Sequence, residues 1–108
     1  MKPIEFLGDS LDRLRLFPGD VRRAAGFELY RVQQGLEPLD WKPMTSVGVG
    51  SCEIRIRDES GAYRVLYVAK FDEAIFVLHC FQKKTRATPK RDLDLATKRY
   101  RELKEEQK

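Results

Sequence analysis

Three arginines in the second half of the chain have the spacing that an anion-binding surface requires. Arg55 and Arg57 are two residues apart in an alternating segment that predicts a strand, so both side chains point to one face. Arg64 follows after a short turn, inside the otherwise apolar segment "YRVLYVA". A charge there is costly unless it meets an anionic partner, so we interpret Arg64 as a functional residue.

A second basic group follows the most apolar segment of the chain. The run "HCFQKKTRATPKR" extends from His79 to Arg91 and contains no acidic residue. Its basic members are Lys83, Lys84, Arg86, Lys90 and Arg91. If the preceding strands form a meander, the start of this run lies near the second of them. We therefore expect its first three basic residues to share one concave surface with the three arginines.

Arginine and lysine side chains at such a surface are suited to phosphodiester cleavage. They stabilise the negative charge that builds up around phosphorus during the reaction. The sequence shows no Ser-His-Asp pattern, no paired acids and no Gly-rich phosphate loop. The alternative is that each arginine is a solvated strand residue. For Arg57, which precedes Asp58 and Glu59, both interpretations are equally supported.

His79 is the only histidine in the chain and lies between Leu78 and Cys80 in an apolar segment. Histidine exchanges protons near neutral pH, so one interpretation is catalytic. The apolar neighbours favour the other, a buried structural role. Cys52 and Cys80 also lie in apolar segments, and no CxxC spacing is present. The sequence therefore predicts neither a metal site nor a disulfide, and it implies no cofactor.

Length and composition indicate one folded domain over residues 1–108. Apolar residues make up 42% of the chain, which is enough for a core, and the net charge is +4. A basic chain favours an anionic partner, either nucleic acid or an acidic protein. No segment has the length and hydropathy of a membrane span or a signal peptide, so we expect a cytoplasmic protein without a membrane partner.

The predicted elements follow an order typical of a small α+β domain. "KPIEF" is a possible N-terminal strand, and helices follow in "GDSLDRLRLF" and "PGDVRRAAGFELYRVQQG". After a connector with prolines and glycines, "SCEIRIR", "YRVLYVAKF" and "AIFVLHCF" predict an antiparallel three-strand meander. A last helix is expected from Pro89 to about Glu106. We predict a small antiparallel sheet with the helices packed on one face.

Four motifs of the second half, taken together, resemble a known family. They are Glu53-Ile54-Arg55, the segment Tyr63–Tyr67, the segment Phe81–Thr85 and the pair Thr88-Pro89. With the upstream segments "DSLDRLRLFP" and "ELYRVQQGLEP", they are similar to the toxins of the RelE/ParE toxin–antitoxin superfamily, in its phage-related HigB-like branch. The resemblance covers nearly the whole chain and implies a RelE/ParE-like fold.

The resemblance implies a type II toxin that cleaves mRNA on the ribosome. In that family the 2′-hydroxyl attacks the adjacent phosphate and leaves a cyclic phosphate and a free 5′-hydroxyl. Arg64 matches the arginine that stabilises the phosphate, and Lys84 falls where many relatives carry an Arg. Many relatives also carry a Tyr after the last strand. This sequence has none between Phe81 and Tyr100, and His79 is the candidate to replace it.

The catalytic candidates are therefore Arg57, Arg64, His79 and Lys84. The RNA-binding candidates are Arg55, Arg57, Lys83, Lys84, Arg86, Lys90 and Arg91. The implied partners are the ribosome, mRNA and an antitoxin with a helix-turn-helix domain, with which the toxin would form a hetero-oligomer. The alternative is a binding module without nuclease activity, such as a gyrase-poisoning toxin or a phage-derived regulatory protein.

Overall fold

A computed structural model describes residues 1–107, which form one sheet and three helices. The elements in chain order are β1 (Ile4–Phe6), α1 (Ser10–Arg15), α2 (Gly19–Gln33), β2 (Trp41–Pro43), β3 (Ser51–Asp58), β4 (Gly61–Val68), β5 (Ile75–Lys83) and α3 (Lys90–Glu106). This order confirms the predicted α+β class. Strand β2 was not expected and lies in the connector. No helix in this described part of the chain is long and apolar enough to cross a membrane.

The strands lie in the order β1-β5-β4-β3-β2. Strands β3, β4 and β5 form the predicted antiparallel meander, and β2 adds to its edge antiparallel to β3. The short β1 runs parallel to β5, from Ile4 opposite Ile75 to Phe6 opposite Val77. The sheet is therefore mixed. The pair of β1 and β5 is parallel, whereas the pairs among β2, β3, β4 and β5 are antiparallel. Since β1 ends at Phe6, the second half of β5 has no neighbouring strand on that side among residues 1–107.

The helices cover both faces of the sheet, which differs from the expected arrangement on one face. Helices α1 and α2 pack on the face that carries Ile54, Val65 and Val77. Helix α3 packs on the opposite face, over Leu66 and Leu78. The physical reason is that β4 and β5 are nearly continuous apolar runs, so each face needs its own cover.

Helix α2 has an apolar stripe. Val21, Ala25 and Leu29 are buried, and Val32 packs against the same core. The helix ends before Gly35, whose φ of +81° is accessible to glycine without strain. The stripe therefore fixes which side of α2 faces the sheet.

Asp9 directly precedes α1, and its side chain does not cap the helix. Its carboxylate accepts hydrogen bonds from Arg13 at 3.0 Å and from Arg99 of α3 at 2.6 Å. Arg99 also donates to the backbone oxygen of Leu78 in β5, at 2.9 Å. The hydrogen bond from Arg99, followed by that from Arg13, lowers the pKa of Asp9 to about 2. Asp9 and Arg99 thus join α1, β5 and α3.

His79 makes a further polar contact between β5 and α3. Its ring is fully buried, stacks on Phe81 with centroids 5.2 Å apart, and places Nε2 at 2.7 Å from Oδ1 of Asp92. Burial lowers the pKa of the imidazole, although the hydrogen bond to Asp92 acts in the opposite direction. In the neutral ring Nε2 donates to Asp92, and Nδ1 has no hydrogen-bond partner among residues 1–107.

This buried histidine predicts a loss of stability in mild acid. The unfolded chain, with a histidine pKa near 6.5, binds a proton more readily than the folded chain. The free energy of unfolding should therefore fall as the pH drops below about 6.5. Chemical denaturation between about pH 7.5 and 5.5 measures this slope. Because His79 is the only histidine, the His79→Gln variant should lose the slope, and equal slopes in both proteins would contradict the assignment.

A second loss of stability is expected in stronger acid. The pKa of Asp9 is lowered from 3.8 to about 2, so its contribution is present above pH 3.8 and is lost as the pH falls toward 2. The side chain is 43% exposed, and solvent screening keeps the contribution below about 1 kcal/mol. Acid titrations followed by circular dichroism should show a weaker pH dependence in Asp9→Asn. Asp12→Asn, an equal charge change on the exposed side of α1, should behave like the wild type; the same effect in both variants would count against the contact.

Candidate functional site

Arg55 of β3 and Arg64 of β4 lie directly opposite each other in the sheet. Their side chains share the face that α3 covers further along, since Leu66 is two residues from Arg64 and belongs to that core. Glu53, two residues before Arg55, lies on the same face. Its Oε1 atom is 3.3 Å from Nε of Arg55 and 3.3 Å from Nε of Arg64. We call Glu53, Arg55 and Arg64 the arginine cluster.

The arginine cluster is largely buried. The exposed fraction is 1% for Glu53 and 4% for Arg64, and Arg55 is half-buried. Nη1 of Arg64 donates to the backbone oxygen of Tyr63 at 3.0 Å. Burial lowers the pKa of the Arg64 guanidinium; the charge of Glu53 opposes this shift, and the charge of Arg55 adds to it. With one carboxylate between two guanidiniums, the cluster keeps a net positive charge that favours an incoming anion.

Arg57 and Lys83 extend the positive face by one row toward the end of the sheet. Arg57 pairs with Ala62, and Ala62 pairs with Lys83, so these residues form a row across β3, β4 and β5. The alternation of side chains places this row on the same face as the arginine cluster. Arg57 is exposed, whereas Nζ of Lys83 donates to the backbone oxygen of Arg86. The fold thus brings the three predicted arginines and Lys83 to one face.

A groove of about 670 Å³ opens beside the unpaired half of β5. The end of α1 and the start of α3 form its walls. Three basic side chains, Arg13, Lys84 and Arg91, line it. Phe17 and Tyr63, whose rings meet edge to face at 4.9 Å, lie on its inner side. We call this cavity the β5 groove; its combination of cations and aromatic rings suits an anionic ligand with a planar part.

Phe81 lies between the arginine cluster and the β5 groove. It is the partner of Arg64 in the sheet, and it also lines the groove. His79 lines the groove as well, although its ring is fully buried in this conformation. The catalytic candidates therefore fall into two neighbouring pairs. Arg57 and Arg64 lie on the sheet face, and Lys84 and His79 lie at the groove.

The remaining RNA-binding candidates follow β5 along the chain. Arg91 lines the β5 groove at the first turn of α3, and Arg86 is exposed in the preceding loop. Lys90 is exposed, and its Nζ lies 3.0 Å from the carboxylate of Asp94 on the same helix. The basic residues thus occupy two adjoining regions, the arginine face of the sheet and the β5 groove.

Three charged residues of these regions, Arg13, Glu53 and Asp92, were not candidates in the sequence. Arg13 reaches the β5 groove only because the fold brings α1 beside β5, and no local pattern signals this. Glu53 did carry a signal, since it precedes Arg55 by two residues on one strand face. Its contact with Arg64 depends on the strand register, which the sequence pattern leaves open.

Comparison with known proteins identifies a family. The model of the family described as "Phage derived protein Gp49-like (DUF891)" matches residues 12–101, which include the arginine cluster and the whole lining of the β5 groove. No curated protein matches the chain. The expected superfamily is confirmed, while the HigB-like branch stays a prediction. With most of its length covered by one family model, the chain belongs to the phage-derived Gp49-like family, which is part of the RelE/ParE-like toxin–antitoxin superfamily.

Proposed function

We propose that this protein is a HigB-like toxin of a type II toxin–antitoxin system and acts as a ribosome-dependent mRNA endoribonuclease. Membership of the Gp49-like family supports the toxin assignment. The observation that carries the nuclease assignment is the arginine cluster, in which two guanidiniums share one carboxylate and keep a surplus positive charge. Such a pair suits an anion with charge on two oxygens, as in a phosphodiester.

Cleavage in this proposal is an attack within the RNA strand. The 2′-oxygen of one nucleotide forms a bond to the adjacent phosphorus as its proton passes to a base, and the bond from phosphorus to the 5′-oxygen breaks. The departing oxygen takes up a proton, which leaves a 2′,3′-cyclic phosphate and a 5′-hydroxyl. We assign Arg64, Arg57 and Lys84 to stabilising the extra negative charge on the phosphorus oxygens.

His79 is the candidate for proton transfer. Its Nδ1 atom lacks a hydrogen-bond partner among residues 1–107, so a neutral ring can accept a proton there. The ring is fully buried, so the residues that line the β5 groove have to shift before a 2′-hydroxyl can reach it. We therefore assign the larger part of the rate enhancement to charge stabilisation by the basic residues and the smaller part to proton transfer.

The basic side chains of the two regions are assigned to holding the RNA backbone. They are Arg55, Arg57, Lys83, Lys84, Arg86, Lys90 and Arg91. Contacts of this kind fix the position of the strand without reading its sequence. They also release counterions, so binding to RNA weakens as the salt concentration rises. Basic residues along a sheet face and a neighbouring groove suit an extended RNA strand, whose phosphates can follow both regions.

The nuclease proposal makes a specific prediction for Arg64→Ala. Loss of one preorganised donor of this kind lowers a rate by on the order of 10²–10³-fold. Induction of the wild type in a bacterium should stop growth and create new 5′ ends in translated mRNA, whereas cells that produce Arg64→Ala should grow. Arg64→Lys should recover only part of the activity, since an ammonium restores the charge without the two-pronged geometry of the guanidinium.

Arg23→Ala is the matched control, because it removes the same charge from an exposed site on α2, and it should remain toxic. Thermal unfolding of purified Arg64→Ala separates lost chemistry from lost structure; Glu53 keeps Arg55 as an ionic partner in this variant. A folded, fully toxic Arg64→Ala protein would place the chemistry outside the arginine cluster. Growth arrest with intact mRNA and trapped DNA gyrase would instead support a gyrase-poisoning toxin.

The superfamily also predicts an antitoxin, for which we propose a small protein with a helix-turn-helix domain. Apolar side chains that a partner can cover lie on α2 and the connector, where Phe27, Tyr30, Leu36 and Leu39 are each more than half exposed.

Co-expression with a helix-turn-helix protein encoded beside the toxin gene should restore growth, and the two proteins should co-elute in size-exclusion chromatography. Continued growth arrest and separate elution would argue against this partner.

A further inference from the structure

Glu53 is one of the most completely buried side chains of the protein, with 1% of its surface exposed. Its partner across the sheet is the apolar Leu66. A carboxylate in such a place costs free energy unless other groups compensate its charge. The compensating groups are the guanidiniums of Arg55 and Arg64, whose Nε atoms both lie 3.3 Å from the same oxygen, Oε1.

A simple buried ion pair has one charge of each sign. In this contact one carboxylate faces two guanidiniums. Within residues 1–107, Oε2 of Glu53 and the Nε atoms of Arg55 and Arg64 are buried without a hydrogen-bond partner. Asp40 also acts on Arg64, but more weakly than Glu53 and the neighbouring arginines. The contact therefore rests on charge and proximity rather than on hydrogen bonds, and the cluster carries one more positive than negative charge, which favours an anion.

We propose that Glu53 is a positioning residue that holds Arg55 and Arg64 side by side, so that one phosphodiester anion meets both guanidiniums at once. This inference rests on the proposed function. Two arginines directly opposite each other on neighbouring strands repel, and without a carboxylate between them their long side chains separate. The carboxylate contacts each guanidinium at Nε, and Nη1 of Arg64 is held by Tyr63.

A positioning role for Glu53 and a purely electrostatic role predict opposite effects on the cleavage rate when Glu53 is neutralised. Removal of a negative charge from a basic surface strengthens RNA binding, so electrostatics alone predicts an equal or faster reaction. If Glu53 positions the arginines, a neutral variant binds RNA at least as tightly as the wild type but cleaves it more slowly. A misplacement of about 1 Å costs on the order of 100-fold in rate.

The test compares kcat and KM of the wild type and three variants on ribosome-bound mRNA. We expect Glu53→Gln to lower kcat by about 10- to 100-fold while KM is unchanged or lower. Glu53→Asp, which keeps the charge on a shorter side chain, should retain part of the activity. Glu59→Gln removes the same charge from the exposed turn between β3 and β4, and it should leave kcat unchanged. A folded Glu53→Gln protein with the kcat of the wild type would overturn the proposal.

A measurement on the wild type keeps the proposal testable if the Glu53 variants fail to fold. In NMR spectra the Nε–H signals of Arg55 and Arg64 should be resolved and exchange slowly with water. Both should shift together when a 2′-O-methyl RNA oligonucleotide, which cannot be cleaved, is added. Signals that exchange rapidly with water and are averaged would show that Glu53 does not hold the two guanidiniums in place, and would overturn the proposal. If both signals behave as expected but the wild type cleaves no RNA, the nuclease proposal fails and the positioning of the arginines by Glu53 stands.

Discussion

The burial of a guanidinium in the central strand constrains the rest of the structure. Arg64 lies on β4, which has strands on both sides and apolar cores on both faces. Its charge needs a carboxylate within the sheet, which Glu53 supplies from β3. Helix α3 begins beside His79, which lies on β5 two residues before Phe81, the partner of Arg64. The apolar rows beneath α3 and the charged row beyond it therefore divide one face of the sheet into a packed part and a charged part.

The position of α3 depends on polar contacts as much as on its apolar stripe. Ala96 and Leu103 are buried against the sheet, but contacts between side chains of this type are not directional. The direction of the helix is fixed by Asp92 at His79 near its start and by Arg99 at Asp9 further along. Since the start of α3 forms one wall of the β5 groove, the shape of the groove depends on the same buried contacts that hold the fold together.

Local sequence patterns predicted a large part of this arrangement. The alternation in "SCEIRIR" and the apolar runs of β4 and β5 predicted the meander and the shared face of Arg55 and Arg57. The register that sets Arg64 opposite Arg55 depends on the whole sheet, and a shift of one residue would turn Arg64 to the other face. The contact of Arg99 with Asp9 joins the two ends of the fold, which no local pattern encodes. The prediction that the helices pack on one face was wrong, because the continuous apolar runs of β4 and β5 need cover on both faces and α3 supplies the second.

The pairing of β1 with β5 has a consequence for the order in which the fold and the candidate site are completed. Synthesis on the ribosome produces Ile4–Phe6 near the start of the chain and its partner Ile75–Val77 only much later. Until then β1 has no strand beside it, and the arginine cluster lacks the flanking strand that carries Phe81. Pairings between segments so far apart in sequence form slowly, because a long loop has to close first. The nascent chain therefore spends most of its synthesis without a complete site, and the finished site exists only after the last strand and helix have been made.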